Sequence, residues 1–109
     1  MKVVNRIKKT NDFALIIKEG RVSKTKEFTI HYLPNTLNYT RIGISVSSKL
    51  GNAVLRNRIK RQVRAMCDEL IKYETLALDL VIIVRHPFLK KDYHSNKEVL
   101  GDIISTIER

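Results

Sequence analysis

The sequence predicts one domain in which α-helices pack against a β-sheet. Apolar residues alternate with polar ones along residues 28–33 and 41–47, which indicates strands, and they recur at helical spacing along residues 53–73 and 92–107. The 109 residues are 43% apolar and include only two prolines and four glycines. This length and composition favour a single folded domain over residues 1–109 rather than a disordered polycation.

The first third of the chain is predicted to form one helix and one strand. Thr10 or Asn11 can cap a short helix that runs through Lys18, because either side chain can accept a hydrogen bond from the first helical turn. The segment after this helix is extended or turn-like. Residues 28–33 have the two-residue period of a half-buried strand, and residues 34–40 are predicted to form the connecting turn.

The second predicted strand, residues 41–47, has one apolar face and one face of small polar side chains. Small side chains allow a flexible chain to lie close to the backbone, and this is one interpretation of the polar face. The other, slightly favoured on the strand alone, is an ordinary exposed sheet face. The apolar face consists of Ile42, Ile44 and Val46, and the polar face consists of Arg41, Gly43, Ser45 and Ser47.

The remaining sequence is predicted to add a long helix, a buried strand and a last helix. Asn52 is a suitable cap for the helix over residues 53–73. The apolar run over residues 80–84 is typical of a strand buried on both faces, and residues 92–107 form a helix packed on the sheet. Because no apolar segment is long enough for a membrane span or a signal region, we expect a cytoplasmic protein. The single cysteine, Cys67, allows no internal disulfide.

Positive charge is distributed unevenly along the chain, whose formal net charge is +10. Residues 1–48 contain nine cations and three acids, residues 49–64 contain six cations and no acid, and residues 65–109 contain six cations and eight acids. The excess therefore belongs to the first two-thirds of the chain. Such asymmetry predicts a polyanionic partner, either nucleic acid or an anionic membrane surface.

The long helix is predicted to dock by one face and to present a basic arc on another. Solvated helix faces normally mix charges of both signs, so an arc of cations without acids favours contact with successive phosphates. Binding to a membrane or to calmodulin requires a free apolar face, which this domain needs for its core. The apolar arc consists of Leu55, Ile59, Val63, Met66 and Leu70, and the basic arc consists of Arg56, Asn57, Lys60, Arg61 and Arg64.

The sequence offers little for protein-based catalysis. The basic half has too few acids for a carboxylate pair, and no His, Cys, Asp or Glu residues have metal-ligand spacing. Three functions can be compared: a non-catalytic partner of an RNA enzyme, a ribosomal or general RNA-binding protein, and a nuclease that uses histidines. The histidines available to the third are His31, His86 and His94.

Residues 41–64, RIGISVSSKLGNAVLRNRIKRQVR, resemble the signature of the bacterial ribonuclease P protein subunit. The opening NRIKKTNDF, residues 5–13, resembles the N-terminal segment of that family, so the resemblance covers nearly the whole chain. It implies an α+β, two-layer α/β sandwich of order αβββαβα, with a four-stranded mixed sheet and a left-handed βαβ crossover. Such a crossover is an exception to the usual handedness.

The same resemblance implies a function and its partners. The protein would bind a large catalytic RNA, one copy per RNA, and together they would remove the 5′ leader from precursor tRNA. Magnesium ions held mainly by the RNA would perform the chemistry, so the protein alone would be inactive and would carry no catalytic residue. No membrane partner is implied.

Two surfaces of this chain correspond to functional surfaces of the family. Ile17 and His31 stand where the family often has an aromatic residue and a tyrosine, so stacking on a base would depend on Phe13, which is alternatively a core residue. Ser48 stands where lysine is common, and Ala65 where an acid is usual. The implied RNA-binding motif is Lys49, Arg56, Asn57, Arg58, Lys60, Arg61 and Arg64, and the implied leader-binding cleft is Phe13, Ile17, His31, Ser45 and Ser48.

Overall fold

Three α-helices and one four-stranded sheet make up the fold in a computed structural model that describes residues 1–108. The order of elements within this part of the chain is αβββαβα, which confirms the order implied by the family resemblance. Three short 3₁₀ turns lie at Val3–Asn5, Ser48–Leu50 and His86–Lys90. The elements are α1 (Thr10–Glu19), β1 (Arg21–Lys24), β2 (Phe28–Pro34), β3 (Arg41–Val46), α2 (Ala53–Leu70), β4 (Leu78–Val84) and α3 (Tyr93–Glu108).

Two predicted helix ends were wrong by a few residues. Helix α1 begins directly after Lys9, which makes no side-chain capping bond, so neither Thr10 nor Asn11 is its cap. Helix α2 ends at Leu70 rather than at Tyr73, because Ile71 takes an extended conformation and is buried. The chain therefore turns towards the core at Ile71, although the helical spacing of apolar residues in the sequence continues to Tyr73.

The sheet is mixed, with the strands in the order β1-β2-β4-β3. Strand β2 is antiparallel to both β1 and β4, whereas β3 is parallel to β4 and lies at the edge. The N-terminal segment joins this edge at one point, where Arg6 forms an isolated bridge with Ile42 and the Ile7 amide donates to the Ile42 carbonyl over 2.9 Å. The remainder of β3 stays an open strand edge within the described chain.

The main core lies between the sheet and the two long helices. Phe28, Ile30 and Ile82 of the sheet are fully buried against Val63 and Met66 of α2 and against residues of α3. Helix α1 crosses the opposite face of the sheet and forms a smaller core there, with buried Ile7, Ile16 and Val81. Because α1 is only ten residues long, part of that opposite face remains uncovered.

Candidate nucleic-acid interface

Helix α2 is held rigidly by a cap at its start and by its apolar arc. The Asn52 side-chain oxygen accepts a hydrogen bond from the Leu55 amide at 2.9 Å, which satisfies one of the free donors at the helix N-terminus. Ile59, Val63 and Met66 are buried as the spacing predicted, whereas Leu55 at one end of the arc is half-buried. The side chains on the opposite side therefore project from a fixed backbone.

The predicted RNA-binding residues carry no neutralising acid within residues 1–108. The ion pairs there use other cations, such as Arg41, Lys91 and Lys97. Arg56 has a buried Nε atom without a hydrogen-bond partner, so part of its guanidinium is desolvated and unpaired. Of the seven residues, Lys49, Asn57, Arg58 and Arg61 are exposed, while Arg56, Lys60 and Arg64 are half-buried.

Part of the basic arc lies beside the open edge of β3. Lys60 and Arg64 line a cavity of about 290 Å³ together with Gly43 of the strand. The same cavity is lined by Arg6 and Lys8 from the segment before α1. These two cations were missing from the site residues chosen from the sequence. The sequence feature that could have indicated them is the cluster of cations near the N-terminus. The bridge between Arg6 and Ile42 of β3 brings this segment to the site.

Phe13 of α1 reaches the same cavity from the other face of β3. A Cβ atom at position 43 would lie 2.6 Å from Phe13 Cε1, which is closer than van der Waals contact, so the ring occupies the space that Gly43 leaves. Neither interpretation of the polar strand face holds at Gly43, which is buried, because the Phe13 ring fills the space beside it. Phe13 is half-buried, packs on the smaller core and keeps one side towards the cavity.

Among the described residues, Phe13 is the one member of the implied cleft that lines this cavity, and the positions of the other four follow from α1 and from the strand register. Asp12 approaches Arg41 at 3.5 Å, and on the same helix Phe13 is half-buried and Ile17 is exposed. Strand register places Gly43, Val81 and His31 in one row across the sheet. The next row contains the exposed Ser45 beside Ile83 and Thr29, and the exposed Ser48 follows in the turn after β3.

His31 lies on the α1 side of the sheet, in the same row as Val81 and Gly43. Burial lowers the pKa of its imidazole below the usual 6.5, and the nearby charge of Lys24 lowers it further. Its Nδ1 atom is buried and has no hydrogen-bond partner among the described residues. Burial therefore disfavours the charged form of His31, and its Nδ1 atom is enclosed by the protein.

The basic residue at the start of β3 differs from those of α2 because acids surround it. Arg41 donates to Asp79 through Nε at 3.0 Å and through Nη2 at 2.6 Å, and Asn35 donates to the same carboxylate at 2.8 Å. This bidentate pair raises the pKa of Arg41. Arg41 therefore stabilises the sheet, whereas the cations of α2 remain available.

Two of the three histidines are carried on opposite sides of the sheet. His31 faces the α1 side of the sheet, whereas α3, which carries His94, packs on the other side. Burial raises the pKa of the Cys67 thiol to about 12, so it stays protonated at neutral pH. No group of three or more His, Cys, Asp and Glu side chains within residues 1–108 is placed to hold a metal ion.

A magnesium ion does not suit the residues of this surface. Mg²⁺ prefers oxygen ligands, chiefly carboxylates and phosphates, and the basic arc supplies cations instead. No helix within residues 1–108 is long and apolar enough to span a membrane.

The sheet is mixed, and beside the cleft at its β3 edge lies a basic helix whose cations have no acidic partner among the described residues. These features define a small α+β protein of the nucleic-acid-binding class.

Comparison with known proteins identifies the family. The profile of the family described as Ribonuclease P matches residues 1–108. The ribonuclease P protein component of Mesoplasma florum is 39% identical over 105 residues, covering 95% of this chain and 96% of the relative. The component of Bacillus cereus is 40% identical over 101 residues, covering 92% and 88%. The Staphylococcus aureus RNase P protein structure superimposes with a TM-score of 0.84 at 36% identity, covering 94% of each chain.

The chain belongs to the ribonuclease P protein family. It is the protein component of a ribonucleoprotein endoribonuclease that matures tRNA, and membership implies association with the ribonuclease P RNA in a magnesium-dependent holoenzyme. The resemblance noted on residues 41–64 is thereby confirmed.

Proposed function

We propose that this protein binds the single-stranded 5′ leader of precursor tRNA in the cleft around Phe13 and presents the basic arc of α2 to RNA phosphates. The observation that carries the proposal is the position of Lys60 and Arg64, which are unpaired and line one cavity with Phe13 at the open edge of β3. Phosphates and bases of one strand can thus be contacted together. One copy would act on each catalytic RNA.

The physical role proposed for the basic arc is screening. Two RNA molecules that approach each other carry closely spaced negative charges, and at physiological ionic strength mobile salt screens them only beyond about 8 Å. Fixed cations between the two backbones reduce that repulsion without the entropy loss of condensing free ions. The concentration of Mg²⁺ that the RNA requires for cleavage should therefore fall when the protein is bound.

The role proposed for the cleft is recognition of a single strand without strong sequence selection. The Phe13 ring can stack on one base, since every base offers a flat face. Ile17 is exposed and adds apolar contact, and the half-buried imidazole of His31 adds further surface for the strand. Ser45 and Ser48 leave the strand room to pass beside β3.

Mixing the protein with a bacterial ribonuclease P RNA and precursor tRNA at limiting Mg²⁺ tests the proposal. We expect 5′ cleavage to be stimulated, and we expect no cleavage by the protein alone. Mature tRNA serves as the control ligand, because it lacks the leader and should gain little affinity from the protein. If the protein raised the affinity for precursor and mature tRNA equally, leader binding in the Phe13 cleft would be contradicted.

The salt dependence of leader binding provides a second measurement. If about five phosphates are neutralised on a single strand, the logarithm of affinity should fall with the logarithm of salt concentration at a slope of about −3 to −4. A nearly flat response would contradict phosphate contact. A general RNA-binding protein would give a similar slope without stimulating cleavage, so the two assays together separate these functions.

A further inference from the structure

Strand β3 and helix α1 touch at two neighbouring points. At the first, the Phe13 ring fills the space beside Gly43. Two residues earlier on the same face of β3, the Nη1 atom of Arg41 lies 3.5 Å from Oδ2 of Asp12. Asp12 directly precedes Phe13 in the first turn of α1. The ion pair is therefore adjacent to the contact that places the Phe13 ring.

The start of α1 has little else to hold it in place. The helix is only ten residues long, a length that is marginal in isolation, and Lys9 before it provides no side-chain cap. Ile16 anchors its second half in the smaller core. Among the described residues, the contact between Asp12 and Arg41 is the one ion pair that α1 makes. The direction of the first turn therefore depends on the Arg41 guanidinium.

Arg41 can fix that turn because its own position is fixed. The buried Asp79 carboxylate accepts hydrogen bonds from Nε at 3.0 Å and from Nη2 at 2.6 Å, and Asn35 donates to the same carboxylate. A planar guanidinium bound along one edge presents its remaining nitrogen in a set direction, which here is towards Asp12. A lysine ammonium, as a point charge on a flexible stem, would set no such direction.

We infer that Arg41 is a positioning residue for the leader cleft: through Asp12 it fixes the first turn of α1 and so holds the Phe13 ring at the edge of β3. The inference rests on the proposed function, because that function places the leader against Phe13. Arg41 itself need not touch RNA, since two carboxylates already occupy its guanidinium. Loss of this contact should therefore change leader affinity and leave the cleavage step unaltered.

Removing the charge of Asp12 tests the inference. Asp12→Asn keeps the size of the side chain, and we expect the preference of the holoenzyme for precursor over mature tRNA to fall about three- to fivefold, as for the loss of one partly exposed ion pair. The single-turnover cleavage rate at saturating holoenzyme should not change. Asp12→Glu keeps the carboxylate and should retain the preference to within about twofold. Lys91→Gln, which breaks the ion pair with Glu27, is the control that lowers stability without changing the preference.

The double variant shows whether Asp12 acts through the ring. In a Phe13→Ala background, Asp12→Asn should cause no further loss of preference, because the ring that it positions is gone. A further loss of the same size, an unchanged preference in Asp12→Asn alone, or an equal loss in Lys91→Gln would overturn the positioning role. If Phe13→Ala itself left the preference unchanged, leader binding against that ring would fail, and with it the proposed function.

NMR of the full chain without RNA separates these two failures. The chain has three phenylalanines, whose rings can be isotope-labelled without altering the packing. Phe28 and Phe88 are buried edge to face in the main core, so their signals serve as internal references. Asp12→Asn should shift and broaden only the Phe13 signal, which its absence in Phe13→Ala identifies.

An unchanged Phe13 signal would overturn the inference even if the leader binds as proposed. A shifted signal, combined with no effect of Phe13→Ala on the preference for precursor tRNA, would leave the positioning of the ring intact and refute the proposed function alone.

Discussion

Replacing Gly43 with alanine should displace the Phe13 ring from its seat on β3. The new Cβ would lie 2.6 Å from Phe13 Cε1, so one of the two must move. The obstacle is the end of a half-buried side chain, and the ring can rotate towards the cleft. Overpacking typically costs about 1–3 kcal/mol, and we expect a loss of about 1 kcal/mol in the free energy of unfolding, at the low end of that range.

The effect of Gly43→Ala on the free energy of unfolding should change sign once the Phe13 ring is removed. In a Phe13→Ala background nothing blocks the Cβ, and alanine is favoured over glycine in a strand by about 0.5–1 kcal/mol. The coupling between the two positions should therefore be about 1.5–2 kcal/mol, which is within the range seen for residues in contact. Urea unfolding of the wild type, both single variants and the double variant measures this coupling directly.

The displaced ring should also weaken leader binding. Stacking of a base on an aromatic side chain contributes about 1–3 kcal/mol, and partial loss of about 1 kcal/mol corresponds to about fivefold in affinity. We expect this loss for precursor tRNA bound to the holoenzyme and little change for mature tRNA. Gly101→Ala on α3 is the matched control, since its Cβ would meet only the Leu70 side chain, at 3.2 Å. Equal costs of Gly43→Ala in both backgrounds, or unchanged leader affinity, would refute the reasoning.

Two further predictions concern charge. Arg56→Gln should reduce holoenzyme cleavage about five- to tenfold at limiting Mg²⁺ and progressively less as Mg²⁺ rises, because added metal replaces lost screening; a constant defect would contradict the screening role. Lys91→Gln should cost about 1–3 kcal/mol at pH 7, since it leaves the Glu27 carboxylate buried and unpaired. Lys91 holds the pKa of Glu27 below its usual 4.5, so wild-type and variant stabilities, measured by urea unfolding, should converge as pH falls through that lowered value. If the stability difference between wild type and Lys91→Gln were unchanged in strong acid, the Lys91–Glu27 ion pair would not be its cause.

Local patterns predicted the elements whose own residues carry a strong period. Helix α2 begins at Ala53 after Asn52, as expected, because the cap and the apolar arc are properties of neighbouring residues. The sequence of strand β1 is compatible with both an extended and a turn-like conformation, since Arg21–Lys24 is short and largely exposed. Its strand conformation comes from pairing with β2, which local sequence does not encode.

The composition of the candidate site depended on contacts between distant parts of the chain. Arg6 and Lys8 belong to the cavity because the N-terminal segment bridges to Ile42, a pairing with no local signature. The sequence allows Phe13 to be either a core or a binding residue; the structure packs its ring half-buried on Gly43, and its role in binding stays a prediction. The family resemblance supplied the order of the elements, while the hand of the crossover stays a prediction.

The sequence by itself determined that this protein carries a rigid basic helix, because charge, capping and helical period are encoded within a few successive residues. Tertiary structure decided what that helix faces. Docking by Ile59 sends Lys60 to the cavity at the β3 edge and Arg58 to a separate cavity beside Phe88, and this division exists only once the sheet and the turn after β4 are in place. The physical reason is that side-chain direction follows from local geometry, whereas the neighbours it meets follow from packing across the whole chain.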